Sequence, residues 1–204
     1  MSQTPLLTVG VVGDTHVPDR AASLAPGLLD GLRGAGVAHI LHAGDVCSGR
    51  VLKELAEIAP VSAVRGNRDF LFSPPLPMAL ELEFCGVKVG LLHGHGGMRR
   101  YWMDKFAYIV EGYRVERYTR LGVDTLPRAA VLVYGHSHRP ENRWIDGRLI
   151  FNAGAATGFK LGKEVFPPSY GLLRFYPQAR VEGEIVNLPG IELCSGVWEA
   201  PRAL

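Results

Sequence analysis

Seven side chains able to ligate metals follow apolar runs and lie close to a glycine: Asp14, His16, Asp45, Asn67, His93, His136 and His138. They fall in the segments VGVVGDTH, ILHAGD, SAVRGN, VGLLHGH and VLVYGHSH. Two carboxylates, one amide oxygen and four imidazoles are too many ligands for one small ion and a good number for two. Two divalent ions about 3.5–4 Å apart can activate a water, hold phosphoryl oxygens and neutralise developing negative charge. Asp45 is the natural bridge between the ions, because it ends the middle one of the first three expected strands. Asp14-x-His16 and His136-x-His138 each deliver two side chains from one tight turn, and Asn67 offers a neutral oxygen. Oxygen and imidazole without thiolate suit Mn, Fe, Co, Ni or Zn and argue against a closed structural zinc site. His16, His93, His95, His136 and His138 make up five of the chain's seven histidines, and that concentration points to metal chemistry. His42 is either turned toward the same site or buried elsewhere.

Each apolar run reads as a buried strand, and each polar residue falls at or just beyond its carboxyl end. Open α/β sheets bind ligands there. Residues 1–75 read as β-α-β-α-β, with strands at Leu6–Val12, Val37–Leu41 and Val61–Val64. A helix over Ala21–Arg33 places Leu24, Leu28, Leu29 and Leu32 on one side; a second, capped by Ser48, runs to Ala59. Such a start implies a parallel sheet covered by helices. The later chain is mostly strands, and Asp146-Gly147 marks a hairpin. The glycines at 13, 44, 66, 94 and 135 fit sharp turns and the close approach of a substrate to the backbone. No periodicity marks the last dozen residues, which read as a loose tail. The stretch from Met98 to Leu121 is rich in Arg and Tyr, with Trp102, Phe106, Ile109, Val110 and Tyr113 at helical spacing. It reads as a core-packing helix or as a lid whose arginines meet phosphate.

At 204 residues the chain reads as a single domain, 1–204, with a helical insert or lid at 98–128. A net charge of +2 does not mark a nucleic-acid binder. Three scattered cysteines and no leader or membrane-spanning run suggest a reducing, cytoplasmic location and no membrane partner. Gly135-His136-Ser137-His138 lacks the second glycine of a serine-hydrolase elbow, and no phosphate-binding GxxxxGK loop exists.

The ordered set GDTH, GD, GNRD, HGH and GHSH resembles the signature of the calcineurin-like metallophosphoesterases. Length and spacing are most similar to the small YfcE-type phosphodiesterase branch, which also holds the retromer scaffold subunit. The resemblance implies an α/β fold, a four-layer sandwich of two mixed β-sheets flanked by helices. It implies one ion on Asp14, His16, Asp45 and His138, and another on Asp45, Asn67, His93 and His136. It further implies manganese as the first choice of metal, and a hydroxide bridging the ions as attacker. Asp45, Asn67 and Arg68 then carry the catalysis, while Arg68 and His95 face a small or nucleotide-like phosphoester.

Two positions depart from the family pattern. Many relatives have histidine, and the small branch often cysteine, where this chain has Arg68. An arginine is always charged and donates protons poorly, though it can grip phosphoryl oxygens. Reactions with good leaving groups are therefore expected to go best. The stretch Asn152-Ala153-Gly154-Ala155 replaces NPGS and loses a proline and a hydroxyl. Alternatives are a phosphomonoesterase or dinucleotide polyphosphate hydrolase with the same site, and a non-catalytic metal-binding scaffold. Exposed apolar residues in the 98–128 stretch could serve a homo-oligomer as well as a lid.

Overall fold

A computed structural model describes residues 3–69, 75–97, 100, 102–103, 106 and 110–200. Strand β1 (Leu7–Val12) leads through helix α1 (Leu28–Gly34) to β2 (His39–His42). Helix α2 (Gly49–Ala56) then leads to β3 (Val61–Ala63). These three strands are parallel, as the β-α-β-α-β reading expected. Strands β4 (Ala79–Phe84) and β5 (Val87–Leu92) form a hairpin, and helix α3 (Val115–Thr125) precedes β6 (Val131–Val133). A second hairpin, β7 (Glu141–Ile145) and β8 (Arg148–Asn152), turns at Asp146-Gly147. After a small hairpin of β9 (Phe159–Leu161) and β10 (Glu164–Phe166), strands β11 (Ser169–Phe175) and β12 (Val181–Asn187) return to the first sheet. The described chain ends in a hairpin of β13 (Glu192–Cys194) and β14 (Val197–Glu199).

Two five-stranded mixed sheets result, ordered β12-β11-β1-β2-β3 and β4-β5-β6-β8-β7. Side-chain alternation explains why they stack. Val9 and Val11 face the interior with Val89, Leu91, Val131, Val133, Leu149 and Phe151 of the other sheet. Gly10 and Val12 point the opposite way. There Leu28 and Leu32 of α1, and Val51 and Leu55 of α2, cover the first sheet. On the far side, Val115 and neighbouring Leu126 pack on Leu92, Leu132 and Ile150. The outcome is the expected sandwich of two sheets flanked by helices. Among the described residues no helix is long and apolar enough to cross a membrane.

Three local expectations need correction. The first helix does not begin at Ala21; it starts after Gly27, whose φ is 82°. Pro26 disfavours helical geometry at Ala25, so the helix cannot run through it. Leu24 is nevertheless buried. Up to Ala200 the C-terminal stretch is not a loose tail either. Trp198 packs on the outer core and its indole N–H donates to Ser23 O at 3.0 Å, while Ala22 N–H donates to Gly196 O at 2.9 Å. Within 98–128, α3 is formed, but Trp102, Phe106 and Val110 are 62%, 71% and 67% exposed and do not pack into the core. Ile109 lies outside the described residues.

Candidate metal centre

All five ligand-bearing segments end at one edge of the sandwich. Asp14 and His16 follow β1, Asp45 follows β2, and Asn67 follows β3. His93 follows β5, while His136 and His138 follow β6. Their donor atoms converge. His138 Nε2 lies 3.3 Å from Asp14 Oδ1 and 3.2 Å from His16 Nε2. Asp45 presents Oδ2 to His16 Nε2 at 3.7 Å and Oδ1 to His93 Nε2 at 3.6 Å. Asn67 Oδ1 is 3.1 Å from His93 Nε2. Two tight groups emerge among the expected ligands, Asp14–His16–His138 and Asp14–Asp45–His93, and a third joins His16 to Asp19 and Cys47, with donor atoms in each within 4.8 Å of one another. His136 stands at the rim of the second, its ring 5.0 Å from that of His93. Asp14 thus shares the middle with Asp45, the expected bridge.

The backbone at these turns is unusual. Asp14, His16, Asp45, His136 and His138 all have φ between 49° and 65°, a left-handed conformation uncommon for residues with a Cβ. Each such residue costs of order 1–3 kcal/mol and persists only where its surroundings over-determine it. Two glycines show how tightly the turns nest. A Cβ on Gly66 would fall 2.1 Å from Asp45 Oδ1, and one on Gly135 would fall 2.9 Å from both Ala43 O and Asp14 Oδ2. These two glycines therefore make room for the ligands themselves.

A shell of hydrogen bonds fixes the ligands. Asp69 is the hub of the first sheet's turns. Its Oδ2 accepts from the N–H groups of Asp45 at 3.0 Å and Gly66 at 2.7 Å, and its Oδ1 from Cys47 N–H at 2.8 Å. His93 Nδ1–H donates to Ala43 O at 2.7 Å, which leaves Nε2 facing the centre with a lone pair. Asn152, buried at the end of β8, donates to Gly135 O at 3.1 Å and Ser137 Oγ at 3.0 Å, locking the GHSH turn. His42 is not a ligand. Its Nδ1 accepts from Gly44 N–H at 3.2 Å, so its Nε2–H faces Thr15 Oγ1 at 3.2 Å, and both stay buried.

Charge and burial oppose each other here. Burial pushes Asp14 up, yet His138, His93 and His16 outweigh it and its carboxyl titrates far below the usual range. Burial raises Asp45, with Asp14 and Asp69 adding to the rise against His93. Burial brings His16 and His136 down to about 3 and His95 down to about 4. Burial alone would lower His93 too, but Asp45 and Asp14 reverse the sign and raise it. At neutral pH His16, His95 and His136 are accordingly uncharged, the state a metal ligand requires.

Residues expected at the substrate side are placed less centrally. The Arg68 guanidinium is 46% exposed and donates to Asp19 Oδ2 at 3.0 Å, whereas its backbone N–H donates to Asp45 Oδ1 at 2.8 Å. Asp19 had no signal in the sequence beyond its nearness to His16. His95 is buried beside His93 at 5.3 Å between ring centroids. From the 98–128 stretch, Tyr118 stacks on Tyr134 at 5.0 Å and stands 6.5 Å from the His136 ring. Tyr113 donates to Glu141 at 3.1 Å.

The donor set suits divalent metal. Asp14 Oδ1 and His138 Nδ1 are buried without a hydrogen-bond partner, and Asp14 Oδ1 points into the ring of imidazole nitrogens. A buried unpaired carboxylate oxygen is costly unless a cation meets it.

Comparison with known proteins agrees with this geometry. A profile of the calcineurin-like phosphoesterase superfamily domain matches residues 7–175. A probable metallophosphoesterase from Methanothermobacter thermautotrophicus is 32% identical over 188 residues, covering 92% of this chain and 96% of that protein. Among solved structures, Vacuolar Protein Sorting 29 from Cryptosporidium parvum superimposes with a TM-score of 0.66 at 21% identity. That match covers 88% of this chain and 96% of the other. A novel archaeal phosphodiesterase gives 0.57 at 19% identity, covering 88% of this chain and 100% of its own. At these identities the two structures speak to the fold.

Proposed function

Because the chain belongs to the calcineurin-like phosphoesterase superfamily, a metal-dependent family, we propose that it is a binuclear phosphodiesterase acting on small or nucleotide-like esters. The observation that carries this reading is Asp45, whose two oxygens face different imidazoles on the two sheets. Asp14, His16, Asp45 and His138 would hold one ion, and Asp45, Asn67, His93 and His136 the other. Bound there, two divalent ions, manganese first among them, supply an activated water and positive charge for the phosphoryl oxygens.

The chain's own groups do the positioning. His93 is fixed on Ala43 O with Nε2 inward, and Asp45 is held by the Arg68 and Asp69 contacts. His16 and His136, uncharged through burial, keep lone pairs free for metal. Arg68 is tied at the edge by Asp19, where its guanidinium can meet a phosphoryl oxygen but cannot release a proton. A general acid is worth typically 10²–10⁴-fold, so substrates with stable leaving anions gain most.

The test is p-nitrophenol release from the bis-ester and the mono-ester by protein stripped of metal and resupplied with Mn²⁺. Fast, metal-dependent cleavage of the bis-ester is expected, with the mono-ester slow. Asp45→Asn should lower that rate by more than the roughly 10–100-fold cost of losing a supporting contact. A faster mono-ester reaction would replace the phosphodiesterase with a phosphomonoesterase. No turnover despite two bound ions would favour a scaffold.

A further inference from the structure

Beside the metal centre lies a cavity of about 360 Å³ that the chemistry above does not use. Its walls are largely apolar: the rings of Phe159, Phe166 and Pro168 on one side, Ile191 and Leu193 on the other. Phe159 and Phe166 are cross-strand partners in the β9–β10 hairpin, with rings inclined by only 15°. Two cations, Arg20 and Lys160, and one carboxylate, Glu192, are the charged groups of the lining.

The cavity adjoins the centre, because three lining residues also touch three candidate ligands. Thr157 Oγ1 donates to Asp14 O at 3.1 Å. The Phe159 ring packs edge-on against His138, with centroids 5.5 Å apart. Arg20 N–H donates to His16 O at 2.7 Å, and the Arg20 charge is felt at His16. An occupant of this space therefore lies one residue away from the Asp14–His16–His138 group.

Volume and chemistry narrow the occupant. Small-molecule sites run from about 300 to 1,000 Å³, mostly apolar with a few placed polar groups. Aromatic walls favour a flat ring, and Arg20, on the side of His16, favours a ligand whose charge lies there. We propose that this cavity binds the nucleobase-like aromatic group of a phosphodiester, with Arg20 at the passage toward the phosphoryl group. This inference rests on the phosphodiesterase reading for its substrate and makes that substrate a nucleoside ester.

The experiment is binding of adenosine, which carries no phosphate, to the whole 204-residue chain loaded with metal, followed by calorimetry. Ribose and N-acetyl-leucinamide serve as comparison probes. Adenosine should bind and ribose should not, and Ile191→Asp should weaken adenosine at least tenfold. Val165→Asp gives a second readout at the cavity wall, on a side chain 60% exposed, where folding is not at stake. Absent adenosine binding, or binding indifferent to both substitutions, would overturn the inference. Tighter binding of N-acetyl-leucinamide would overturn it too, in favour of a peptide side chain. Bis-p-nitrophenyl phosphate turnover, assayed in parallel, separates the two claims. Turnover without adenosine binding removes this inference alone; adenosine binding without turnover upholds the cavity and removes the proposed enzyme.

Discussion

The two sheets contribute unequal chemistry to one site. The first supplies Asp14, His16, Asp45 and Asn67, three oxygen donors and one imidazole. The second supplies only imidazoles, His93, His136 and His138. Neither half offers a complete sphere, so ligands assemble only when the sandwich closes. The hydrogen bonds that fix them cross the joint as well, from His93 to Ala43 O and from His136 N–H to Asp14 Oδ2 at 3.0 Å. Metal binding should accordingly add to sheet docking, and the comparison can be pushed from both sides.

The largest expected effect is on that coupling. Mn²⁺ at about 100 times its dissociation constant should raise unfolding free energy by about 2.7 kcal/mol, and chelation should reverse the gain. Calorimetry with and without Mn²⁺ checks this; an unmoved transition would mean that the halves close without regard to metal. Next, Gly135→Ala should cost about 1–3 kcal/mol, because the added methyl meets Ala43 O and Asp14 Oδ2 across the joint. Gly34→Ala, at the end of α1 with open space around its Cβ position, is the control and should be neutral or stabilising. Equal melting shifts for the pair would break the claim that the joint is tightly nested.

Asp69→Asn tests the first sheet alone. Loss of its charge weakens three amide contacts that set the Asp45 turn, and metal affinity should fall by roughly tenfold, the low end for a supporting group. Titration with Mn²⁺ reads it; wild-type affinity would assign the turn's shape to the glycines. The smallest effect concerns acid. His16 and His136 are held near 3 and His42 and His95 near 4 by burial, against an ordinary 6.5, so an unfolded chain binds more protons below 6.5. Stability from these four groups is present above 6.5 and lost as pH falls toward 4. His93, which Asp45 and Asp14 raise against burial, and Asp45, which burial raises, work in the opposite sense. Metal-free protein should melt lower at about pH 5 than at about pH 7.5. Coincident transitions would show His93 and Asp45 to balance the other four.

The ligand positions were legible because a buried strand, a glycine and a polar residue at the strand end form a local pattern. Asn152 was not, since its work lies in contacts with chain 15 and 17 residues distant. The helix over Ala21–Arg33 was drawn too long because leucine spacing outweighed Pro26, though Leu24 reaches the core without a helix. The β9–β10 and β13–β14 hairpins have strands of three residues each, too short for alternation to register. Arg68 was recognised as a poor acid, but its partner Asp19 is set by the fold.

The left-handed ligand turns carry a consequence for anyone who evolves this protein. Glycine adopts that conformation without penalty, so replacing His16 or His138 by glycine would relax the backbone as it deletes a donor. A library screened for heat tolerance alone would therefore drift toward variants that survive and do nothing. Selection has to be applied with metal present and turnover scored, or the sturdiest descendants will be those that have lost the centre.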